Sequence, residues 1–486
     1  MKPPGTSISG RFGAPEVWLA AVAAKTSRIR LGPGVVLLPV NHPVRVAEYM
    51  ATDDKEKSKM LIGHFTEQPW QDEKTNLMGA RNTTLDISNQ LYDPEIGSEL
   101  YNRYLDEKLY AEEVGFDGLM LNEHHSTPFC MQGVTNVEAA ILARQTSRVK
   151  IIVLGNILPI WDDPLWLAEE LAMIDMISRG RLVSGFVRGG GTESISHNAP
   201  PTYNWERFQE AHDFIIKAWT TPGPWRWEGR HYEYRYVNPW AMPLQKPHPP
   251  IWIPGVVSPS TTQWAAQHRY PYVMLATKLD ITKDMFQLYR DTAAACGYQA
   301  GTQNLGYMVK VHVEETEAKA EEVGRKYLTG VANPEIAGNP GEYLVKPWLQ
   351  SPPGLSSRQA ARRRLEILGA AAASGPDSRG ATIFAPYEEQ VKNLSIIAGT
   401  PKSVLPKIRH ILETLRPGSL IFWDGDGAMT HEDQMRSLKL MGEEVIPAVR
   451  EMGKELELFS PFEVDPATGQ PVGERRGAAA QAVVPY

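Results

Sequence analysis

The chain has 486 residues, 42% of them hydrophobic, and a formal net charge of -7, so it can bury a large core but offers no basic surface for nucleic acid or an anionic membrane. Its two cysteines exclude a disulfide framework and have no metal-ligand spacing, so we expect no metal site. Because the N-terminus lacks a signal-peptide pattern and no apolar run reaches about 18 residues, we expect a cytoplasmic protein without a membrane segment.

The first 57 residues repeat a pattern that recurs further along the chain. Thr26-Ser27-Arg28 recurs as Thr146-Ser147-Arg148, and the flanking apolar runs match in character. We predict that residues 1–57 are a partial duplicate of a βα unit, which cannot bury its apolar faces alone. Two possibilities stay open: the segment packs on the rest of this chain or on a neighbouring chain, or it is a largely unstructured relic of a tandem gene.

Short apolar runs then alternate with helical patterns eight times. The strand candidates start near Lys59, Gly118, Val149, Arg181, Pro250, Tyr270, Leu305 and Gly418. Repeated βα units with nearly continuous apolar strands indicate a parallel sheet covered by helices. Eight units predict an α/β (β/α)8 TIM barrel over residues 58–460, with its active site at the C-terminal ends of the strands. A doubly wound open sheet is the structural alternative.

Two segments interrupt this alternation. Residues 329–380 form a long insertion after the seventh strand, and insertions of this length are typically lids or disordered loops. Residues 461–486 form a tail of linker composition, which we expect to be disordered.

Polar residues end the second strand candidate, which runs into Asn122-Glu123-His124-His125. Buried carboxylates and imidazoles are costly unless they are paired. At the rim of a barrel such groups transfer protons. A Glu–His hydrogen bond that only holds the loop explains the pattern equally well.

The third strand candidate ends in Leu154-Gly155-Asn156. A glycine at a strand end permits the close approach of a flat ligand or an unusual backbone geometry. This position is therefore a candidate contact for a planar ring.

The next two units carry three features suited to an anion. Arg188 stands beside a run of glycines, and Arg207, early in the following helix, could reach the same anion. Ser258 and Thr261 lie at the start of another predicted helix, where free N–H groups and hydroxyls bind anions. Helix capping alone explains the hydroxyls, but the three features together favour a phosphorylated cofactor.

Several motifs together resemble the bacterial luciferase-like flavin-dependent monooxygenases, which are TIM barrels that use FMN. The matching stretches cover roughly residues 60 to 455, and the N-terminal repeat resembles the same family. They are LNEHH, LGNILPIWDDPLWLAEELAMIDMISRGRL, SGFVRGG, LQKPHPPIWIPG, STTQWAA and GTPKSVLPKI.

The resemblance implies roles for the residues singled out above. His124 would be the catalytic imidazole beside the flavin, supported by Glu123. Leu154, Gly155 and Asn156 would form the bulge under the isoalloxazine ring, where the family often has a cis non-prolyl peptide. The FMN phosphate would be held by Arg188, Arg207, Ser258 and Thr261, and the insertion would be the lid.

The resemblance also implies a two-component reaction with one partner protein. Reduced FMN from a separate flavin reductase would react with O2, and a C4a-(hydro)peroxyflavin would transfer one oxygen atom to a small organic substrate. A homo-oligomer, dimer or tetramer, is expected, since the family pairs through its early helices.

A pocket that excludes water from this reaction needs apolar and aromatic walls. The candidates are His64, Phe65, Trp70, Phe129 and Trp161, although core packing explains each of them individually. Two other functions stay open: a deazaflavin-dependent hydride transfer within the same superfamily, and a non-catalytic flavin-binding subunit.

Overall fold

The computed structural model describes residues 60–463, except residues 76, 79–86, 190, 257 and 329–385. The predicted duplicate at residues 1–57, the insertion at residues 329–380 and residues 464–486 of the tail lie outside the described residues. The hypotheses about those segments therefore stay predictions.

Eight parallel strands form a closed ring. Each strand pairs with its neighbours in chain order, β8 pairs with β1, and the pairing of β6 with β7 completes the circle. The predicted (β/α)8 barrel is therefore confirmed, and the open sheet is wrong. The strands are β1 Leu61–Phe65, β2 Gly118–Leu121, β3 Lys150–Ile157, β4 Leu182–Val187, β5 Ile251–Gly255, β6 Tyr272–Leu275, β7 Leu305–Val313 and β8 Ser419–Trp423.

Helices cover the outside of the barrel. Four of them begin with proline at the first helical position, and Asp93 and Asp163 cap α1 and α3 by accepting hydrogen bonds from backbone N–H groups. In the described part of the chain, no helix is long and apolar enough to cross a membrane. The longer helices are α1 Pro94–Glu113, α2 Thr135–Gln145, α3 Pro164–Ile177, α4 Asn204–Thr220, α5 Pro259–Gln267, α6 Leu279–Ala295, α7 Pro401–Leu415, α8 His431–Leu440 and α9 Ile446–Glu455.

The strands bury both faces, so the core has two layers. Outward side chains such as Ile62 and Ile151 pack against the helices, whereas the inward ones fill the lumen. The lumen side chains are Leu61, Phe65, Met120, Ile152, Leu154, Val183, Trp252, Val273, Met308 and Ile421. Phe462 stacks on Trp252 with 6.1 Å between ring centroids and contacts Lys150 near the N-terminal ends of the strands. Polar side chains that follow the opposite strand ends therefore define the mouth.

Three small elements differ from the sequence-based prediction. Strand Ile396–Gly399 pairs with the far half of β7, from Lys310 to Val313, outside the ring. Two antiparallel hairpins join Gln71–Asp72 to Leu77–Met78 and Trp225–Glu228 to Glu233–Val237. Runs of two to five residues carry too little periodicity to be recognised as strands.

Candidate active site

His124 occupies the mouth of the barrel just after β2. Its Nδ1 lies 2.9 Å from Glu193 Oε1, and its Nε2 lies 3.9 Å from Glu67 Oε2. Because a carboxylate accepts hydrogen bonds, Nδ1 carries the proton toward Glu193 and Nε2 is left facing Glu67. Burial lowers the pKa of His124, but the hydrogen bond that its Nδ1 donates to Glu193 and the charges of Glu67 and Glu123 outweigh burial and raise it. The imidazole is therefore oriented and biased toward the protonated state.

Glu123, the predicted support for His124, contacts other groups. Its Oε1 lies 3.2 Å from His125 Nε2, and its Oε2 accepts a hydrogen bond of 3.4 Å from Asn156 Nδ2. The direct support of the imidazole comes from Glu193 instead, and Glu123 acts on it only through its charge. Glu123 thus links the ends of β2 and β3, and a direct catalytic role for it stays a prediction.

Two further carboxylates, Glu67 and Asp426, are buried in the mouth after β1 and β8. Burial raises the pKa of Glu67 to about 7 and that of Asp426 to about 6. The charge of Lys310, on β7, lowers both pKa values but does not cancel the effect of burial. Among the described residues, no group of three or more histidine, cysteine or acidic side chains is placed to hold a metal ion.

The end of β3 carries the predicted bulge. The Leu154–Gly155 peptide is cis, as the resemblance implies, and the pairing with β4 shifts register between Leu154 and Asn156. A Cβ on Gly155 would lie 2.8 Å from Gly185 O, so only glycine fits between β3 and β4 here. Asn156 Oδ1 is buried without a hydrogen-bond partner among the described residues. The Nδ2 of the same side chain donates a hydrogen bond of 3.1 Å to Asn136 Oδ1. The bulge therefore presents an unpaired acceptor, which suits a ligand N–H group.

Three of the proposed phosphate ligands lie just after β4 and at the start of α5, and two tryptophans connect these places. The guanidinium of Arg188 lies 5.6 Å from the ring of Trp205, and that ring contacts Trp264 of α5 at 6.3 Å. Ser258 caps the same helix, with its Oγ 3.1 Å from Ser260 Oγ, and Thr261 is buried in its first turn. A cation and a helix N-terminus thus lie on adjoining elements, which suits an anion.

Arg207 is engaged elsewhere. Its Nε donates a hydrogen bond of 2.8 Å to the carbonyl oxygen of Pro159. Its Nη2 donates hydrogen bonds to Trp161 O, at 3.1 Å, and to Asp162 Oδ1, at 2.9 Å. These contacts hold the loop that follows β3. A phosphate-binding role for Arg207 stays a prediction and is weaker than that for Arg188.

The five pocket candidates occupy different environments. Phe65 lies in the lumen, 5.3 Å from Trp423, and the ring of Phe129 packs 5.4 Å from that of His124. Both border the mouth. Trp161 packs on the outer core, with its buried Nε1 unpaired among the described residues.

Trp70 and His64 lie away from the lumen. Trp70 belongs to a separate apolar cluster under the β1–α1 loop, and its ring centroid lies 4.6 Å from that of Tyr92. His64 points outward from β1, with its Nε2 3.0 Å from Gln434 and its ring 5.5 Å from Phe116. Burial lowers the pKa of His64 to about 4, so this imidazole stays neutral. We therefore remove His64 from the candidate substrate pocket.

Sequence reasoning missed Glu67, Asp426 and Glu193. The first two lie within three residues of the ends of β1 and β8, so the pattern that singled out His124 would also have found them. Glu193 lies beyond the glycine run after β4, in the short helix Gly191–Ser196, and no spacing rule places it beside His124.

The chain is similar to known monooxygenases along most of its length. The model of the luciferase-like monooxygenase family matches residues 5–55 and 87–416. The alkanal monooxygenase alpha chain of Photorhabdus luminescens is 27% identical over 219 residues, 45% of this chain and 60% of that relative. The oxygenase component of flavin-dependent trigonelline monooxygenase from Acinetobacter baylyi is 28% identical over 179 residues, 36% and 49% of the two chains. The chain thus spans about half of the length of these curated relatives.

Two solved structures have the same fold. The oxygenating constituent of 3,6-diketocamphane monooxygenase from Pseudomonas putida, in complex with FMN, is 19% identical with a TM-score of 0.58, and the likeness covers 80% of this chain and 98% of that one. An F420-dependent secondary alcohol dehydrogenase is 13% identical with a TM-score of 0.53, covering 80% and 99%. At these identities the likeness concerns the fold alone.

Proposed function

Because the chain belongs to the luciferase-like monooxygenase family, we propose that it is the oxygenase of a two-component FMN-dependent monooxygenase. In this proposal, a separate flavin reductase supplies reduced FMN, and one atom of O2 enters a small organic substrate. The single observation that carries the proposal is the placement of His124: it stands at the mouth, oriented by Glu193, at the end of the strand that pairs with the bulged strand β3.

The residues at the mouth fit a flavin mononucleotide. The unpaired Asn156 Oδ1, at the bulge that follows Gly155, suits the ring N–H groups of a reduced flavin. Arg188, Ser258 and Thr261 supply the cation and hydroxyls that a phosphate requires. When bound, reduced FMN supplies the electrons with which O2 is activated.

The chain's own residues have separable tasks in this proposal. His124 holds or releases a proton at Nε2, and Glu193 keeps the ring in one tautomer by accepting from Nδ1. Phe65, Phe129 and the apolar lumen exclude water from the site.

We propose a homo-oligomer, a dimer or tetramer, as the working form. The supporting observation is a set of exposed apolar side chains on α2 and α3, including Val137, Trp166 and Met173. Trp166→Lys should lower the mass found by sedimentation if this face is paired, and an unchanged mass would exclude this face.

Reduced cofactors separate this proposal from deazaflavin-dependent hydride transfer. Under anaerobic conditions, we expect reduced FMN to bind saturably and reduced riboflavin, which lacks the phosphate, to bind at least about tenfold more weakly. Arg188→Gln should remove most of that difference, whereas Arg226→Gln, on an exposed hairpin, should not. Preference for reduced F420 with oxygen-independent turnover would overturn the proposal.

Oxygen consumption separates an oxygenase from a non-catalytic flavin-binding subunit. The FMN-loaded protein, a flavin reductase and a panel of small organic compounds should give a product that carries label from 18O2. If reoxidation of the flavin yields only hydrogen peroxide with every compound, the non-catalytic alternative is favoured.

A further inference from the structure

We propose that Glu67 exchanges a proton with Nε2 of His124, so that Glu67 and His124, with Asp426 behind them, form a buried proton relay at the barrel mouth. The use of this relay in oxygenation rests on the proposed function. The contacts from which we infer it involve only this chain and can be tested without any flavin.

The orientation of His124 leaves one nitrogen for the exchange. Nδ1 is fixed by Glu193, so any proton gained or lost by the ring moves at Nε2, which faces Glu67 Oε2 at 3.9 Å. A small rotation of either side chain, or one bridging water, brings that distance into hydrogen-bond range.

Glu67 is held in place through both its carboxylate and its backbone. The side-chain amide of Asn122 donates a hydrogen bond to Glu67 Oε2. The backbone N–H of Glu67 donates a hydrogen bond of 2.9 Å to Asp426 Oδ1. The charged or titratable groups that act on it are His124 from the β2 end, Asp426 from the β8 end and Lys310 from β7. The Cys130 thiol also feels its charge, and its own pKa is raised well above the ordinary value, chiefly by burial.

Asp426 completes the relay from behind. Its carboxylate accepts hydrogen bonds from Thr66 Oγ1 at 3.1 Å and from the Trp423 indole N–H. Burial raises the pKa of Glu67 to about 7, and the charge of Asp426 adds to this increase, so the two buried carboxylates resist simultaneous ionisation and titrate as a pair. Lys310, whose Nζ lies 4.4 Å from the Trp423 ring, limits this effect without removing it.

The transfer conserves charge. The imidazolium of His124 loses the proton on Nε2, the Glu67 carboxylate gains it, and the products are a neutral imidazole and a neutral carboxylic acid. A donor–acceptor pair whose proton moves near neutral pH can return that proton to a reacting group at the mouth. The pair thus provides a proton store at the mouth.

Nuclear magnetic resonance of the full, flavin-free chain tests this inference directly. With 15N-labelled histidine, and with the His124 signal assigned by its loss in His124→Gln, we expect two inflections in the wild-type titration of His124. Glu67→Gln should remove one inflection and lower the pKa of His124 by about one unit, a tenfold change in proton affinity. In Asp426→Asn, the inflection that Glu67→Gln removes should remain but occur at a different pH.

A matched control comes from a second buried glutamate. Glu107 on α1 lies 2.9 Å from His431 Nδ1, so Glu107→Gln should shift the His431 titration and leave that of His124 unchanged. If Glu67→Gln leaves the His124 curve as it is in the wild type, the relay is excluded. Circular dichroism of each variant establishes that the barrel is folded.

The loaded enzyme gives a second readout. The pH profile of flavin reoxidation should lose an inflection in Glu67→Gln and regain it in Glu67→Asp; a profile unchanged by Glu67→Gln contradicts the relay. Failure of the wild type to bind reduced FMN would refute the proposed function alone, because the flavin-free titration would still decide the relay.

Discussion

Two buried clusters in this barrel pair a histidine with carboxylates, and they differ in how fully the histidine is satisfied. At the mouth, the side chain of His124 is 26% exposed and one nitrogen stands 3.9 Å from its acid. Between β7 and β8, His312 is completely buried, with Nδ1 2.9 Å from Asp424 and Nε2 3.4 Å from Glu314. The proposed relay requires the first imidazole to exchange its proton, whereas the second is held from both sides.

In the inner cluster, formed by His312, Asp424 and Glu314, the hydrogen-bonding capacity of Asp424 is also filled. Asp424 accepts hydrogen bonds from Tyr327 at 3.1 Å, from Ser437 at 2.5 Å and from the Gly425 N–H at 2.9 Å. Burial lowers the pKa of His312, but Asp424 and Glu314 outweigh it and raise that pKa to about 9. At neutral pH, His312 is thus a cation that joins β7 to β8.

This difference distinguishes a cluster that stabilises the fold from one that can transfer protons. A fully satisfied ion pair has no free site for a substrate proton, and removing either partner leaves a buried charge. A pair with space between its members costs stability but can move a proton. We therefore assign chemistry to the cluster at the mouth and stability to the inner one.

The largest effect is expected at His124. His124→Gln keeps an amide donor for Glu193 but cannot carry a proton, so oxygenated product per flavin should fall by about 10²–10⁴-fold. FMN affinity and the melting temperature should stay close to those of the wild type. Product analysis after single turnover, beside a binding titration, measures both; an unchanged yield would remove His124 from the mechanism.

The inner cluster should respond in the opposite way. His312→Ala leaves Asp424 buried without its cation, and we expect the free energy of unfolding to fall by about 3–5 kcal/mol. Urea denaturation measures this change. His410→Ala, on the exposed face of α7, is the control and should change stability by less than about 0.5 kcal/mol. A small loss in His312→Ala would mean that the two clusters are not distinct.

The pH dependence of unfolding sharpens the same comparison. The pKa of His312 is about 9 in the folded state and ordinarily 6.5, so its stabilisation is complete below about pH 6.5 and is lost as pH rises through 9. The shift corresponds to about 3 kcal/mol. Urea unfolding between pH 6 and 10 should show this loss in the wild type and not in His312→Gln; parallel curves would contradict the assignment.

The barrel fold and several residues at its mouth could be predicted from the sequence. Strand-end residues such as His124 and Arg188 were predictable because a TIM barrel brings all its strand C-termini to one face. Partners within the mouth were not, because the loop after β4 sets the direction of Glu193, and the face of β1 toward which His64 points depends on strand register. The strand-end positions of Glu67 and Asp426 were also predictable, but their contact, like that of His312 with Asp424, joins residues more than 100 positions apart, which no local pattern encodes.

The smallest effect is expected at Glu67. Replacing this residue should stabilise the fold, as is expected for a group kept for chemistry and not for stability. Its pKa of about 7 lies above the ordinary 4.5, so its favourable contribution is present below pH 4.5 and is lost as pH rises through 7, where the buried carboxylate becomes charged. Glutamine keeps an acceptor for Asn122 and carries no charge, so Glu67→Gln should raise the free energy of unfolding at pH 8 by about 1–3 kcal/mol and change it little at pH 4.5. Urea denaturation at the two pH values measures this. Destabilisation at pH 8 would place Glu67 with the saturated, structural groups, and the distinction between the two clusters would fail at its weakest point.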